Sequence, residues 1–329
     1  MTVSETPALV SIDDVRQAAE RVRGVAIKTP LLPFRDLGWV KPENLQPTGS
    51  FKIRGAYNTL AQLSAKQRRV GVVAHSSGNH AQAVARAARL LEVRAVVVMP
   101  ENAPKVKVDG VRADGAEIVF VGPHNEERVR RAHEIADADG LELVSSANDV
   151  RVVAGQGTIG LEIDEQARDA GIDDPLVVLV PVGLGGLAAG VGVAIKSLRP
   201  HSFVVGIEPA MAADTHDSLA AGQLMPWPAE KTGRTIADGL RGEAPAEIPF
   251  EHLKRYIDRV VLVDEDEIAR AVAIAARELR LVLEPSGAVS LAGLLFHGGE
   301  LPAGQRIAIL TGGNVDTDRY VEFLRAGTD

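Results

Sequence analysis

Short runs of apolar, β-branched residues alternate with alanine-rich amphipathic stretches along most of the chain. The first four runs predict buried strands at residues 70–75, 94–99, 117–121 and 141–145. Helical periodicity fills the gaps between them, at residues 79–91, 104–113 and 126–138. A strand–helix alternation of this kind requires right-handed crossovers and predicts a parallel sheet.

The same alternation resumes in the second half of the chain. The pattern predicts strands at residues 176–182, 203–208, 259–263 and 306–310. It predicts helices at residues 187–198, 265–279 and 285–296. Residues 222–250 are rich in proline, glycine and charge, so we expect loops there and no core element. Two α/β lobes follow, with a ligand at the carboxyl ends of their strands.

Composition removes several classes of function. Hydrophobic residues make up 46% of the 329 residues, which is enough to bury a core and argues against disorder. The net charge is −8 and no basic block stands out, so we expect neither nucleic acid nor a membrane as a partner. Cysteine is absent, which excludes disulfides and thiolate nucleophiles. No signal-peptide pattern and no run of about eighteen apolar residues occurs, so we expect a cytoplasmic protein.

The first candidate for chemistry is a lysine that follows a turn of small residues, in the segment 47–55 (PTGSFKIRG). The ring of Phe51 is placed to shield Lys52 from water, which would lower the pKa of the amine and make it nucleophilic. The alternative is an ordinary surface lysine beside a helix start, and the segment by itself does not decide between the two.

The second candidate lies directly after a predicted strand, where a helix opens with Ser76, Ser77, Gly78, Asn79 and His80. Unpaired N–H groups at a helix start form an anion site, which an amino-acid carboxylate would fit. The alternative interpretation of this segment is an ordinary serine N-cap followed by a turn glycine.

The third candidate is a glycine-rich loop between a strand and a helix. It consists of Gly183, Leu184, Gly185, Gly186 and Leu187. Glycines let the backbone close around a phosphate without interference from Cβ atoms. The glycines could equally serve close packing of the helix on the strand.

The same loop also satisfies a dinucleotide-binding pattern. Glu208 ends the next strand, about where a ribose-binding acid belongs, so a nicotinamide-dependent dehydrogenase is a competing hypothesis. Thr311, followed by two glycines at the end of the last strand, could face a ligand or could begin a plain exit turn.

Taken together and in this order, the four segments resemble the serine/threonine dehydratase and serine racemase family of fold-type II pyridoxal-phosphate enzymes. The similarity extends from residue 29 to residue 316. Further matching stretches lie at residues 43–46, 154–158, 235–239 and 284–288. The resemblance implies two open, twisted, mostly parallel α/β domains, similar to the tryptophan synthase β subunit.

The resemblance also implies a domain organisation. Residues 1–70 with 148–329 would form a large cofactor-binding domain, and residues 71–147 a small α/β domain. We expect a homodimer and no C-terminal regulatory domain. The chain departs from the family in a short segment before Lys41 and in Pro42, which we expect to interrupt a strand.

The resemblance assigns roles to the four segments. Lys52 would hold pyridoxal 5'-phosphate as a Schiff base, with Phe51 packed beside it. Asn79 would bind the 3'-oxygen of the pyridine ring, and Thr311 would meet the ring nitrogen. The backbone of the loop from Gly183 to Leu187 would hold the phosphate.

The remaining implied roles concern substrate and metal. Residues 76–80 would bind the carboxylate of a small amino acid, and Ser77 would supply a proton from the opposite face, as in the racemases. Glu208, Asp214 and the carbonyl of Ala212 would bind Mg²⁺ or Ca²⁺, because oxygen ligands suit these ions.

The leading hypothesis is elimination of the β-hydroxyl of L-serine, L-threonine or a 3-hydroxy analogue to give a 2-oxo acid and ammonia. A serine racemase with side elimination is the second hypothesis. From other classes, we keep the nicotinamide-dependent dehydrogenase and a catalytically silent ligand-binding protein.

Overall fold

A computed structural model describes residues 9–326 of the chain, and within them it has ten strands and fourteen α-helices. The strands are β1 (Leu32–Phe34), β2 (Gly38–Pro42), β3 (Val72–His75), β4 (Ala95–Pro100), β5 (Glu117–Val121), β6 (Glu142–Leu143), β7 (Leu176–Pro181), β8 (Phe203–Pro209), β9 (Arg259–Val263) and β10 (Gln305–Leu310). The helices are α1 (Ile12–Val22), α2 (Lys52–Leu60), α3 (Ala65–Val70), α4 (Asn79–Leu90), α5 (Lys105–Ala113), α6 (Asn125–Asp139), α7 (Val150–Asp169), α8 (Gly186–Leu198), α9 (Asp214–Ala221), α10 (Ala229–Thr232), α11 (Glu247–Tyr256), α12 (Glu265–Ile274), α13 (Pro285–Phe296) and α14 (Thr317–Ala326).

The strands form two sheets. The larger has the order β1-β2-β10-β7-β8-β9, and every pair in it is parallel except β1 with β2. The smaller has the order β5-β4-β3-β6 and is wholly parallel. The mostly parallel α/β architecture expected from the sequence is therefore confirmed. The division into domains stays a prediction, and its residues 1–8 and 327–329 lie outside the described residues.

The central strands are continuous apolar runs because helices cover both of their faces. Every residue of β7 and of β4 is buried. Helix α8 is apolar on all sides, with Gly186 to Ile195 buried, so it lies inside the protein and not on its surface. Within residues 9–326, no helix is long and apolar enough to cross a membrane.

Two expectations about the fold are wrong. Residues 222–250 contain the short helix α10 and the start of α11, whose Phe250 and Leu253 are buried in the core. Pro249 stands in the first turn of α11, where a missing N–H costs nothing. Pro42 does not interrupt β2 but ends it, paired with Leu310 of β10.

Glycines let three helices cross closely. A Cβ on Gly155 of α7 would lie 2.6 Å from the Gly55 Cα of α2. A Cβ on Gly190 of α8 would lie 2.3 Å from the Val153 carbonyl oxygen of α7. Real Cβ atoms do not approach so closely, so only glycine permits these crossings. The crossing at Gly155 sets the position of α2, the helix that begins with Lys52.

We expect the substitution Gly155→Ala to lower the free energy of unfolding by about 1–3 kcal/mol, because the added methyl overpacks the crossing of α2 and α7. In an open helix the same change would stabilise by about 1 kcal/mol, so the sign of the effect is diagnostic. Urea unfolding measures it. The exposed Gly299, where an added Cβ meets nothing within 4 Å, supplies the control Gly299→Ala. Equal stability of the two variants would contradict the close crossing.

Candidate functional site

Lys52 is the first residue of α2, and backbone contacts tie this helix start to the exit of β10. The Phe51 N–H donates to the Thr311 carbonyl at 3.1 Å. Ser50 and Gly312 form an isolated antiparallel bridge. The structure therefore brings Lys52 and Thr311, which are 259 positions apart in the chain (311 − 52), to the same edge of the larger sheet.

The amine of Lys52 is desolvated without an anion to hold its proton. Burial lowers the pKa of Lys52 to about 8. Its Nζ lies 3.2 Å from the Ser146 carbonyl oxygen and 5.1 Å from the centroid of the Phe51 ring. A pKa of about 8 leaves roughly a tenth of the amine unprotonated at pH 7, far more than for an ordinary lysine. The side chain is partly buried and its amine is desolvated, which an ordinary surface lysine is not, so the amine is suited to attack an aldehyde.

Arg54, two residues further along α2, is fully buried between two carboxylates. Its guanidinium donates to Glu43 at 2.7 and 2.9 Å and to Glu162 at 2.6 and 3.0 Å. Lys41 pairs with Glu162 from the other side at 2.7 Å. These contacts join α2 to α7 and to the segment that follows β2. The sequence does not predict this contact, because Arg54 and Glu162 are more than a hundred residues apart in the chain.

The serine-rich turn after β3 opens α4 without a side-chain cap. The residue at the N-cap position is Gly78, so the interpretation of this segment as a serine-capped helix is wrong. The Ser76 hydroxyl instead accepts a hydrogen bond from the Gly78 N–H at 3.1 Å. Ser77 is partly exposed. A helix start that no side chain caps leaves N–H groups for an anion such as a carboxylate.

Asn79 and His80 differ in what they offer to a ligand. The Asn79 amide donates to Glu284, and its oxygen accepts from Asn314 at 2.8 Å, so its orientation is held from both ends. The His80 ring is buried with Nε2 3.2 Å from the Val144 carbonyl oxygen. Burial and the nearby Lys52 lower the pKa of His80 to about 3, so the ring is neutral. What His80 retains for a carboxylate is its backbone.

The glycine-rich loop joins β7 to α8. Gly185 is the N-cap residue with φ +87°, a conformation that favours glycine, and no side chain caps the helix. A Cβ on Gly185 would lie 2.9 Å from Leu253, so this glycine also serves packing. Leu184 is 39% exposed, so this loop position does not require a buried side chain. Uncapped N–H groups at the start of a buried apolar helix form a phosphate site.

The segment before α7 contacts both Lys52 and the glycine-rich loop, and so places them near each other. Ser146 contacts the Lys52 amine, and a Cβ on Gly186 would lie 3.2 Å from its neighbour Ala147. Thr311 is buried, and its hydroxyl donates to the Ser286 carbonyl at 3.2 Å. The amine, the loop and the hydroxyl thus lie on neighbouring segments near the carboxyl ends of the strands, where parallel sheets bind ligands.

The two carboxylates of the expected metal site lie at the end of the neighbouring strand β8. Glu208 is fully buried, and its oxygens accept the N–H groups of Thr215 and His216 at 3.0 and 2.9 Å. Neither oxygen of the buried Asp214 carboxylate has a hydrogen-bond partner among the described residues. Burial raises the pKa of Glu208 to about 8 and that of Asp214 to about 7. Because both oxygens of Glu208 accept backbone N–H groups inside the protein, this carboxylate is not placed to bind a ribose. Glu208 therefore no longer supports the hypothesis of a nicotinamide-dependent dehydrogenase.

A cation that sequence analysis missed lies near the serine-rich turn. The Nε of Arg128, in the first turn of α6, is buried without a hydrogen-bond partner, and burial lowers the pKa of its guanidinium. Its Nη2 donates a hydrogen bond to the Asn125 side-chain oxygen at 2.9 Å. Burial, Arg128 and His133 together lower the pKa of His75, the residue before Ser76. Because α6 carries many charged residues, the sequence does not show which of its arginines is partly buried.

Comparisons with known proteins agree with this arrangement. The family model described as "Pyridoxal-phosphate dependent enzyme" matches residues 22–313. L-threonine ammonia-lyase of Thermotoga maritima is 39% identical, over 97% of this chain and 79% of that protein. L-threo-3-hydroxyaspartate ammonia-lyase of a Pseudomonas species is 37% identical, over 96% of this chain and 99% of that protein.

A solved structure agrees in fold as well as in sequence. Maize serine racemase superposes with a TM-score of 0.89 at 33% identity, covering 97% of this chain and 98% of that one. The family resemblance inferred from the four segments is therefore confirmed over nearly the whole chain.

Proposed function

This chain belongs to the pyridoxal-phosphate-dependent enzyme family, and from that premise we propose that it eliminates the β-hydroxyl of a small 3-hydroxy amino acid. The products are a 2-oxo acid and ammonia. The observation that carries the proposal is the Lys52 amine, whose pKa burial lowers to about 8 beside an uncapped helix start and a glycine-rich loop. The ammonia-lyases among its relatives support this reaction.

The residues present fit the cofactor. The desolvated amine of Lys52 suits a covalent bond to its aldehyde, and the N–H groups that follow Gly185 suit its phosphate. Asn79 would bind the 3'-oxygen through its amide, and Thr311 would turn its hydroxyl from Ser286 towards the ring nitrogen. When bound, the cofactor supplies the electron sink that makes the substrate α-proton acidic.

The chain's own residues supply the proton transfers and the substrate contacts. Lys52, with a pKa near working pH, would take the proton from the substrate Cα. The N–H groups of Ser77, Asn79 and His80 would hold the substrate carboxylate at the start of α4. The neutral hydroxyl of Thr311 would leave the ring nitrogen unprotonated, which favours loss of the β-hydroxyl over transamination.

Racemisation is the second candidate. Ser77 stands in the turn that would hold the substrate carboxylate, where its hydroxyl would exchange a proton with the opposite face of Cα. The likeness to maize serine racemase supports this alternative.

We expect borohydride reduction of the protein with added pyridoxal phosphate to attach the cofactor to Lys52 alone, with absorbance at about 410–420 nm beforehand. The reduced peptide is identified by mass spectrometry. Lys52→Ala should abolish both the label and 2-oxo acid formation, because the amine is the point of attachment and the base. Lys105→Ala, at an exposed lysine, should change neither.

The same preparation separates the candidate reactions. Incubation with L-serine, L-threonine and L-threo-3-hydroxyaspartate should release a 2-oxo acid from at least one of them. D-serine without pyruvate would favour the racemase, and an unlabelled Lys52 would refute both reactions.

Among hydroxy amino acids, we propose a dicarboxylic substrate such as L-threo-3-hydroxyaspartate. Arg128 is a half-buried cation whose Nε has no hydrogen-bond partner in the described chain, and it lies near the turn that would hold the substrate. Leaving such a charge unpaired costs free energy, which a second carboxylate on the substrate would recover. The likeness to an L-threo-3-hydroxyaspartate ammonia-lyase supports the choice.

We expect Arg128→Met to reduce kcat/KM for L-threo-3-hydroxyaspartate about 10- to 100-fold, the loss of one charge-assisted hydrogen bond. For L-serine, which has no second carboxylate, the change should stay within about threefold. Arg131→Met is the control, because Arg131 is half-exposed on the same helix and pairs with Glu134. An equal loss for both substrates would show that Arg128 does not contact the second carboxylate.

We also propose that Glu208, Asp214 and the Ala212 carbonyl bind a divalent cation. The support is the Asp214 carboxylate, which is buried with neither oxygen hydrogen-bonded among the described residues. Within residues 9–326, no group of three His, Cys, Asp or Glu side chains is arranged so that it could hold a metal ion. A two-carboxylate site would therefore be completed by backbone carbonyl oxygen and water, as Mg²⁺ and Ca²⁺ allow.

Saturating Mg²⁺ or Ca²⁺ should raise the melting temperature of chelator-treated protein by about 5 °C, because ligand that binds only the folded state stabilises it. Asp214→Asn should remove this response. Asp217→Asn, at a partly exposed carboxylate of the same helix, should retain it. A wild-type protein that melts at the same temperature with and without either ion would refute the site.

The oligomeric state and the location belong to the same proposal. Ile27, Leu45 and Val282 are each more than 40% exposed, and hydrogen bonds through Gln46 and Asn44 connect the backbone around them. An exposed apolar patch of this kind supports the homodimer. The cytoplasmic location and the domain boundaries stay predictions.

A further inference from the structure

Lys107 is a buried lysine that neither the family assignment nor the reaction explains. It lies on α5 with 2% of its surface exposed. Its Nζ lies 2.7 Å from Asp238 Oδ2 and 2.9 Å from Glu284 Oε2. Helix α5 packs on the smaller sheet, whereas Glu284 is the N-cap residue of α13, which packs on the larger one. The lysine therefore places one positive charge between two carboxylates of the opposite layer.

Glu284 connects this charge to the cofactor-binding residue Asn79. One carboxylate oxygen of Glu284 faces Lys107, and the other accepts the Asn79 amide N–H. The Asn79 oxygen in turn accepts from Asn314, which also donates to the Thr48 carbonyl at 2.8 Å. An ionised carboxylate only accepts hydrogen bonds, so it dictates which end of an amide turns towards it.

The aliphatic part of Lys107 also supports the residue before Asn79. A Cβ on Gly78 would lie 2.3 Å from Lys107 Cδ, so the lysine stem occupies the space beneath this glycine. Lys107 thus contacts the turn at residues 76–79 directly and through Glu284. Lys107 thus combines two features: it pairs with the carboxylates of Asp238 and Glu284, and it packs against the turn that opens α4.

The charge on Lys107 determines the state of Glu284. Burial, together with Asp238, raises the pKa of Glu284 above its ordinary value, and the charge of Lys107 limits this rise. Without the lysine charge, two carboxylates would face each other in a desolvated space, and Glu284 would take up a proton. A protonated Glu284 can donate a hydrogen bond, so it would no longer dictate the orientation of the Asn79 amide.

We propose that Lys107 is a positioning residue for the cofactor: its charge keeps Glu284 an acceptor, so that Asn79 presents its amide N–H to the pyridine 3'-oxygen. The inference rests on the proposed function, because it needs pyridoxal phosphate in the site. It differs from a purely structural role, in which Lys107 would join the two layers and affect stability alone.

The test compares Lys107→Met with Lys107→Arg and with Lys105→Met. Lys105 precedes it by two residues on the same helix, and 83% of its side chain is exposed. Titration of the apoproteins with pyridoxal phosphate, followed by absorbance at about 410–420 nm, gives the dissociation constant. Lys107→Met should weaken cofactor binding at least tenfold and lower the absorbance of this band. Lys105→Met should stay within about twofold of wild type.

The double variant Lys107→Met/Glu284→Gln identifies the route. Because the carboxylate is replaced by an uncharged amide, no charge is left there to neutralise, and we expect the double variant to recover at least threefold of the affinity that Lys107→Met loses. Lys107→Arg keeps the charge and should bind the cofactor with a dissociation constant within about fivefold of wild type. If Lys107→Met does not fold, this variant still tests whether a positive charge at position 107 is sufficient.

Three results would overturn the inference. Lys107→Met could bind the cofactor as wild type does, Lys107→Arg could lose as much affinity as Lys107→Met, or the double variant could show additive losses. A wild-type protein that takes no borohydride label at Lys52 would instead refute the proposed function itself, so the two failures are distinguishable.

Discussion

The double ion pair of Arg54 is the constraint on which the site depends most. Arg54 lies two residues after Lys52, and its guanidinium is fully buried between Glu43 and Glu162. A planar guanidinium held by two carboxylates leaves α2 little freedom to rotate or slide. Removing one partner of a buried pair costs about 3–5 kcal/mol, because the other charge remains buried. The pair therefore fixes where the helix begins and where its first side chain, Lys52, points.

A second constraint comes from parts of the chain that meet only in the folded protein. Gly49 has φ +70°, and a Cβ on it would lie 2.3 Å from the Asn314 side-chain oxygen. A Cβ on Gly287 would lie 2.1 Å from the Gly312 carbonyl oxygen. A side chain fits at neither position, so only glycine allows these approaches. The amine, the amide of Asn79 and the hydroxyl of Thr311 consequently share one rigid frame.

The sequence predicted those features whose signal is local. Buried parallel strands such as β4 and β7 are continuous apolar runs, and their interpretation needed no tertiary information. Helix α7 was not predicted because glycines weaken a helical pattern. In the structure, the same glycines let α2 and α8 pack closely against α7. Helix α11 escaped because a proline in its first turn is typical of loops as well.

The candidate site divides along the same line. The sequence indicated Lys52 and the glycine-rich loop, because a nucleophilic lysine and a phosphate site each require a particular residue type beside a helix start. They did not indicate Lys107 or Arg128. Lys105 and Lys107 stand two positions apart on one helix, and nearest neighbours in the sequence do not show which of them faces inward. Burial of a charge depends on partners from distant segments, which the sequence alone does not locate.

Lys52 and Lys107 show how one residue type acquires opposite properties. Both amines are desolvated, which by itself disfavours the charged form. Beside Lys107 the carboxylates of Glu284 and Asp238 outweigh this penalty and raise its pKa, so the charge persists. Near Lys52 no carboxylate of the described chain compensates, and its pKa falls to about 8. The two lysines therefore differ in charge because carboxylates surround Lys107 and none within residues 9–326 compensates the burial of Lys52.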